Sequence, residues 1–542
     1  MDAAAALSPA AEAIAAGYRF ATPTLELGVL VEDGAPRPGA PIRLPLAMLN
    51  RHGLIAGATG TGKTKTLQLM AEQLARAGVP VFAADMKGDL TGLAALGAVS
   101  DKLLQRTAAI GQEWEAMGVP VEFYALGGQG LGVPIRCPLS AFGPTLLSKV
   151  LGLTDVQASC LDLVFYHAAQ TGLALVELDD LRALLQWLTS EEGKAALDGL
   201  GGVSKATAGV ILRELIGFAA QGAGHFFGQP GFQSSDLLRA TADGAGVVSL
   251  LELPNLQNRP DVFSTFLMWL LGDLFATLPE VGDVDKPKLV FFFDEAHLLF
   301  SGASKALLDT IAQTVRLIRS KGVGVFFITQ QPTDVPDAVL AQLGSRVQHQ
   351  LRAHTPNDQQ ALARTVKTYP LSAYDLAQTL QRLGIGEAVV TVMNPDGAPT
   401  PVAWTRLRAP QSFMGALPEG LLRPGVQRSA MMAKYGTPQE ADSAEEVIGR
   451  QAAEQRQMGA REAAAQEEAR RAREAQAAKE AEEAAKKEAA AQQAKEKKAA
   501  EAEEAKERKA ARRETTSAIR RVATDAASQF ARSAISSFFR KR

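Results

Sequence analysis

"HGLIAGATGTGKTK" occupies residues 52–65, and its reading decides the fold. An apolar strand runs into three glycines, a lysine and a threonine, and a helix opens at once behind them. Residues 57–64 fit G-x-x-x-x-G-K-[ST] in the strand–loop–helix context that this pattern requires. Gly57, Gly60 and Gly62 let the backbone turn tightly enough to aim amide N–H groups at phosphate oxygens. The helix start adds partial positive charge for the same anion. The segment Gly57, Ala58, Thr59, Gly60, Thr61, Gly62, Lys63, Thr64 and Lys65 is therefore the candidate nucleotide cradle. Lys63 serves the β and γ phosphates, and Thr64 offers its hydroxyl to Mg²⁺. ATP with Mg²⁺ is the expected cofactor.

Working outward, apolar strands alternate with helices. "KTKTLQLMAEQLARAG" (63–78) reads as a helix ended by glycine, and "VPVFAAD" (79–85) as the next strand. Strands resume at "GVVSLLEL" (246–253), "KLVFFFDE" (288–295), "GVGVFFITQ" (322–330), "SRVQHQLRA" (345–353) and "EAVVTVM" (387–393), read as the last strand. This alternation predicts an α/β fold: a mostly parallel sheet with helices on both faces. Residues of about 140–240 carry helical apolar spacing and read as an insertion. "TLELGVLVE" (24–32) and "APIRLPL" (40–46) around "DGAPRPG" read as a hairpin or the stub of a barrel.

A P-loop needs an acid at the end of a neighbouring strand, and "LVFFFDE" supplies it. Its continuous apolar run suits a parallel strand covered on both faces. Asp294 is the candidate partner of Mg²⁺, partly through water, and Glu295 the candidate base that polarises an attacking water. The "ITQQ" strand tip offers Gln330 either as a γ-phosphate sensor or as an ordinary strand-to-loop residue. Arg346 and Arg352 are candidates for an arginine reaching a neighbouring subunit's phosphate, against the alternative of surface charge. In "FAADMKGDL" (82–90), Asp85 and Asp89 flank Lys87 near the metal, at a subunit interface, or simply in a turn. His52, His167 and Trp269 read as packing residues, and "GIGEAVV" as a turn.

The letters D-E-A-H at residues 294–297 also name a class of two-lobed helicases. Those carry a Q-x-x-G-R-x-G-R type motif in a second lobe, which does not occur after residue 330.

The 542 residues exceed one ordinary core, and a formal net charge of −2 excludes a global basic field for nucleic acid. Cys137 and Cys160 are the two cysteines, too few for a disulfide framework, and the six histidines show no metal-ligand spacing. The N-terminus lacks a basic signal-peptide region and no apolar run nears membrane-spanning length, so a cytoplasmic location is expected. The chain divides into a short β segment (1–48), the ATPase core (49–425), an Ala/Glu/Lys-rich long helix or weak coiled coil (440–515), and a basic amphipathic helix (516–542). That last helix interleaves Ile519, Val522, Phe530, Ile535, Phe538 and Phe539 with arginines and suits a membrane surface, a protein partner, or docking within an assembly.

The succession "RHGLIAGATGTGKTK", "ADMKGDL", "FFFDEAHLLF" and "TVRLIRSKGVGVFFITQQPTDVPDAVLAQLGSRVQHQLRAHTPNDQQAL" resembles the HerA/FtsK group of P-loop ATPases. It looks closest to the bacterial HerA-like, YjgR-type family, over roughly residues 20–425 and the basic end. The resemblance implies an additional-strand ATPase that assembles as a ring, usually a hexamer, and moves double-stranded DNA. It places Lys63 and Thr64 as the Walker A pair, Asp294 and Glu295 as the Walker B pair, Gln330 as the sensor, and Arg352 or Arg346 near the trans-acting arginine. It does not extend to the full N-terminal barrel of HerA. An ATPase that acts on a protein or membrane-associated assembly, or a nucleotide-gated scaffold, stands beside the DNA motor. Lys205 and Lys305 read as DNA contacts of that motor or as plain surface lysines.

Overall fold

The structure is a computed structural model. It describes residues 7–197, 201–253, 260–282, 284–301, 303–440 and 442–536. These form two compact units, divided after Gly449.

The first unit is built on one 12-stranded sheet in the order β2-β1-β12-β11-β10-β3-β9-β8-β4-β7-β5-β6. The strands are β1 (Thr24–Glu32), β2 (Ala35–Pro45), β3 (Gly53–Ala56), β4 (Val81–Asp85), β5 (Val121–Leu126), β6 (Val133–Ile135), β7 (Val248–Glu252), β8 (Leu289–Phe293), β9 (Val323–Thr329), β10 (Ser345–Gln348), β11 (Glu387–Thr391) and β12 (Ala403–Leu407). From β10 to β6 every pairing is parallel; from β10 outward through β11, β12, β1 and β2 every pairing is antiparallel.

Alternation along the central strands divides the core. On β8, Leu289, Phe291 and Phe293 join the core beneath the helical segment that follows β6, while Val290 and Phe292 join the opposite one. Successive side chains of a strand face opposite ways, so an uninterrupted apolar run fills both layers. Aromatic contacts tie neighbouring strands: Phe82 to Phe291 at 4.9 Å, Phe292 to Phe326 at 5.4 Å and Phe293 to Phe327 at 5.7 Å between ring centroids. Gly53 is needed at the foot of β3, because a Cβ there would meet the Phe326 ring at 2.2 Å.

The structure departs from the sequence expectations in several places. Of the two readings of the N-terminal segment, hairpin or barrel stub, it is the hairpin that forms. Asp33 and Gly34, both at positive φ, make a two-residue turn, and the hairpin hydrogen-bonds through β1 to β12 as the sheet's outer edge. That docking edge exists because "AWTRL" (403–407) forms a strand beyond the one read as last. The acidic strand β8 is not next to β3 either: β9 lies between them and pairs with both.

Helices Asp155–Thr171, Leu178–Leu188 and Lys205–Ala220 build the segment read as an insertion. His167 stacks on Trp187 at 6.1 Å within it, and Trp269 packs with Phe226 and Phe266 in the core.

The second unit is helical. Helix Ala444–Ser536 covers residues 444–515 of the first C-terminal segment expected from composition and 516–536 of the second. Its residues 450–526 are almost wholly exposed and carry pairs such as Lys486–Glu482 at 2.7 Å one turn apart. Ile519 and Val522 are exposed. Phe530, Arg532 and Ile535 lie where only the helical backbone is described, and Phe538, Phe539 and Arg540 to Arg542 lie outside the described residues. No helix among the described residues is long and apolar enough to cross a membrane.

Candidate active site

Parallel strands all point their C-terminal ends one way, and the chain gathers its reactive side chains on that edge. β3 ends at Ala56 and the loop 57–62 leads into helix Lys63–Arg76, capped by Gly62. Gly57, Gly60 and Gly62 have φ of 155°, 81° and 114°, values that side-chain-bearing residues rarely adopt. Thr61 Oγ1 donates to the Ala58 carbonyl at 2.7 Å and closes the loop on itself. The loop is anchored on both flanks. Gly57 N donates to the Thr329 carbonyl of β9 at 3.2 Å, and Ala58 N donates to the Gln350 carbonyl after β10 at 2.8 Å. Lys63 Nζ is turned onto the Gly57 and Ala58 carbonyls at 2.7 and 3.2 Å. Burial holds its pKa below the ordinary lysine value, against the opposing pull of Glu295 and Asp294. Thr64 is half-buried at the second position of the helix. Lys65 Nζ lies 3.3 Å from Gln68 Oε1 and faces the charges of Asp89 and Asp85.

At the end of β8, Asp294 and Glu295 take different environments. Asp294 is buried; its Oδ1 accepts the Glu295 N–H at 2.9 Å, and its Oδ2 has no hydrogen-bond partner among the described residues. Burial and the neighbouring Glu295 charge push its carboxyl up to about 7. A buried carboxylate oxygen without a partner is costly, and a cation relieves that cost. Glu295 has φ of 47°, a left-handed conformation unusual for a residue with a side chain. Its carboxylate receives Lys87 Nζ on Oε1, while His297 Nδ1 lies 3.3 Å from Oε2. Burial raises its pKa, but the hydrogen bond and charge of Lys87 outweigh that and leave it below the ordinary value.

Next to β8, the loop after β4 is a turn organised by Asp85. Its carboxylate accepts the N–H groups of Lys87, Gly88 and Leu90 at 3.1, 2.8 and 2.8 Å. Of the readings open for "ADMKGDL", Asp85 takes that of turn organiser. At the end of β7, Glu252 is buried, and its Oε1 lacks a hydrogen-bond partner among the described residues; burial, then Asp85 and Asp89, push it up to about 8. Among the described residues no group of His, Cys, Asp and Glu converges as a protein-only metal site.

Gln330 stands exposed at the tip of β9, between the P-loop strand and the acidic strand. Arg352 is exposed and reaches the Thr59 carbonyl of its own P-loop, at 3.5 Å. Arg346 is tied down: it donates to the Thr368 carbonyl at 3.0 Å and lies over the Tyr369 ring at 5.6 Å. Lys205 and Lys305 are exposed first residues of their helices.

Three contacts were not legible beforehand. His349 is fully buried under the loop, with Nε2 2.9 Å from Thr66 Oγ1, and burial plus the Lys63 charge lower its pKa to about 3. Gly386, in the turn "GIGE", donates its N–H to the Thr61 carbonyl at 3.0 Å and takes Arg106 on its own carbonyl at 2.9 Å. Lys87 meets Glu295 because β4 pairs with β8, which strand order alone reveals.

A strand–loop–helix phosphate cradle, a sheet with one strand inserted between cradle and acids, and an Asp–Glu pair on the same edge define a P-loop ATPase of the additional-strand kind. The chain belongs to the family described as helicase HerA-like C-terminal, which matches residues 31–542. No curated protein matches it. Among solved structures it is similar to a bacterial conjugative coupling protein, TrwBΔN70, in unbound form, at 15% identity and a TM-score of 0.50, covering 76% of this chain and 94% of that one. The same plasmid coupling protein in complex with ADP and Mg²⁺ gives 16% identity and a TM-score of 0.49, over 74% and 92%. VirB4 of Thermoanaerobacter pseudethanolicus gives 16% identity and a TM-score of 0.44, over 72% and 98%.

Proposed function

We propose that this protein is an ATP-hydrolysing motor that works on double-stranded DNA as a homo-oligomeric ring. The observation that carries the hydrolytic reading is the pairing, on one sheet edge, of the cradle around Lys63 with the Asp294–Glu295 pair. The N–H groups of the loop bind the β and γ phosphates, and Lys63 leaves the Gly57 and Ala58 carbonyls to neutralise them. Thr64 and Asp294 are the residues that would hold Mg²⁺, and the unpartnered Oδ2 of Asp294 fits that role. The ion supplies charge neutralisation at the phosphates. Glu295 orients the attacking water and takes its proton. Gln330, on the strand between the two halves, senses the γ-phosphate. Arg352, exposed beside the P-loop, is the better candidate than the tethered Arg346 to reach a neighbouring subunit.

DNA as substrate is supported by the family, and the turnover assay decides it. ATP hydrolysis by the full chain is measured with and without duplex DNA at a stated salt concentration, because phosphate contacts are strongly salt-dependent. Stimulation that fades with salt supports the DNA motor. Hydrolysis with neither stimulation nor DNA binding at low salt moves the substrate to a protein or membrane-associated assembly.

A further inference from the structure

We infer that Lys87 is a positioning residue that holds Glu295 at rest, and that hydrolysis requires this ion pair to open. The inference rests on the hydrolytic reading above. Lys87 Nζ donates to Glu295 Oε1, and His297 Nδ1 faces Oε2 at 3.3 Å. Oε1 is thus taken by Lys87, while Oε2 has no hydrogen-bond partner among the described residues. A base pinned through one oxygen by an ammonium is less basic and is not free to turn that oxygen to a water. Lys63 is in a matching condition, with its ammonium on two loop carbonyls rather than aimed outward. Each of the two residues assigned to the chemistry is thus held by a contact within the chain: Lys63 by two loop carbonyls, Glu295 through Oε1 by Lys87.

The restraint is built to be exchanged. Lys87 has 48% of its side chain exposed, whereas that of Glu295 is 10% exposed. A pair with one partner in solvent contributes little net energy and is open to competition from an incoming anion. The backbone beneath Lys87 is fixed by the Asp85 carboxylate and by Gly88 at φ 72°, so the lysine swings from a rigid base. Release of Lys87 to a phosphate would leave Glu295 free without moving β8.

Lys87→Met, Lys87→Arg and wild type are compared as full chains for kcat and KM toward MgATP, with Glu295→Gln as the inactive reference. Lys87 is half-exposed, and matching thermal unfolding of the variants shows that any change is not one of folding. The expected result is a kcat for Lys87→Met raised roughly three- to tenfold, the effect of opening one partly screened pair, with KM unchanged and Lys87→Arg returned toward wild type. A kcat that is unchanged or lowered in Lys87→Met overturns the restraint; a lowered one makes Lys87 an active partner of Glu295 in turnover. If no chain hydrolyses ATP, the hydrolytic reading fails and the restraint fails with it. That outcome differs from active chains with equal rates, which sink the restraint alone.

Discussion

The ring of His349 lies beneath the phosphate loop with its Nε2 2.9 Å from Thr66 Oγ1, one turn into the loop's helix. The fit is close: a Cβ on Gly57 would meet the Cβ of His349 at 2.5 Å. His349 N also donates to the Ala56 carbonyl at 2.7 Å, so strand and loop share one buried support. His349→Leu is expected to cost about 1–3 kcal/mol, because Thr66 loses a buried partner. It should raise KM for ATP several-fold with a smaller change in kcat. Denaturant titration and steady-state kinetics check the two halves.

Lys63 and Glu295 should fail differently. Lys63→Ala removes the ammonium that neutralises the phosphates, so a fluorescent ATP analogue should bind at least roughly tenfold more weakly. Glu295→Gln keeps the shape of the site and its nucleotide binding while turnover stops. Normal hydrolysis by purified Glu295→Gln protein would remove Glu295 from the mechanism.

Glu252 sets a pH dependence. Its folded pKa of about 8 stands above the ordinary 4.5. Between those values the folded chain keeps a proton that the unfolded chain gives up, so this group's contribution to stability falls as pH rises through the window. Glu252→Gln should therefore be more stable than wild type at pH 8, by on the order of 3 kcal/mol. The gap should shrink toward nothing near pH 5. Urea unfolding of both proteins at the two pH values measures it.

Assembly is the fourth expectation. In light scattering, the full chain with MgATP should run as a multimer several times its 57.4 kDa chain mass. A monomer under those conditions would leave Arg352 with no neighbour to serve.

How far the sequence reaches is plain from particular residues. The P-loop was legible because its glycines are demanded by backbone geometry, and "LVFFF" because a doubly covered strand needs apolar side chains on both faces. The helical segment beyond β6 showed its period. What stayed hidden depends on which strands become neighbours. Asp85 and Lys87 are far from Glu295 in the chain, and it is the β4–β8 pairing that brings those strand ends together. His349 resembles any strand residue until β10 is placed beside β3. The strand at 403–407 is five residues long and follows a Pro/Gly-rich stretch, so its pattern is too brief to stand out.

β9 is hydrogen-bonded along one side to the strand that carries the phosphate loop and along the other to the strand that carries the acids. Neither outer strand can slide toward the other without tearing a ladder of backbone bonds and reshuffling the phenylalanines stacked across it. The sheet is therefore an anvil rather than a spring. Any stroke the molecule delivers has to originate in what sits on its rim, in the side chains and short loops at the strand tips, and leave through the elements those loops touch.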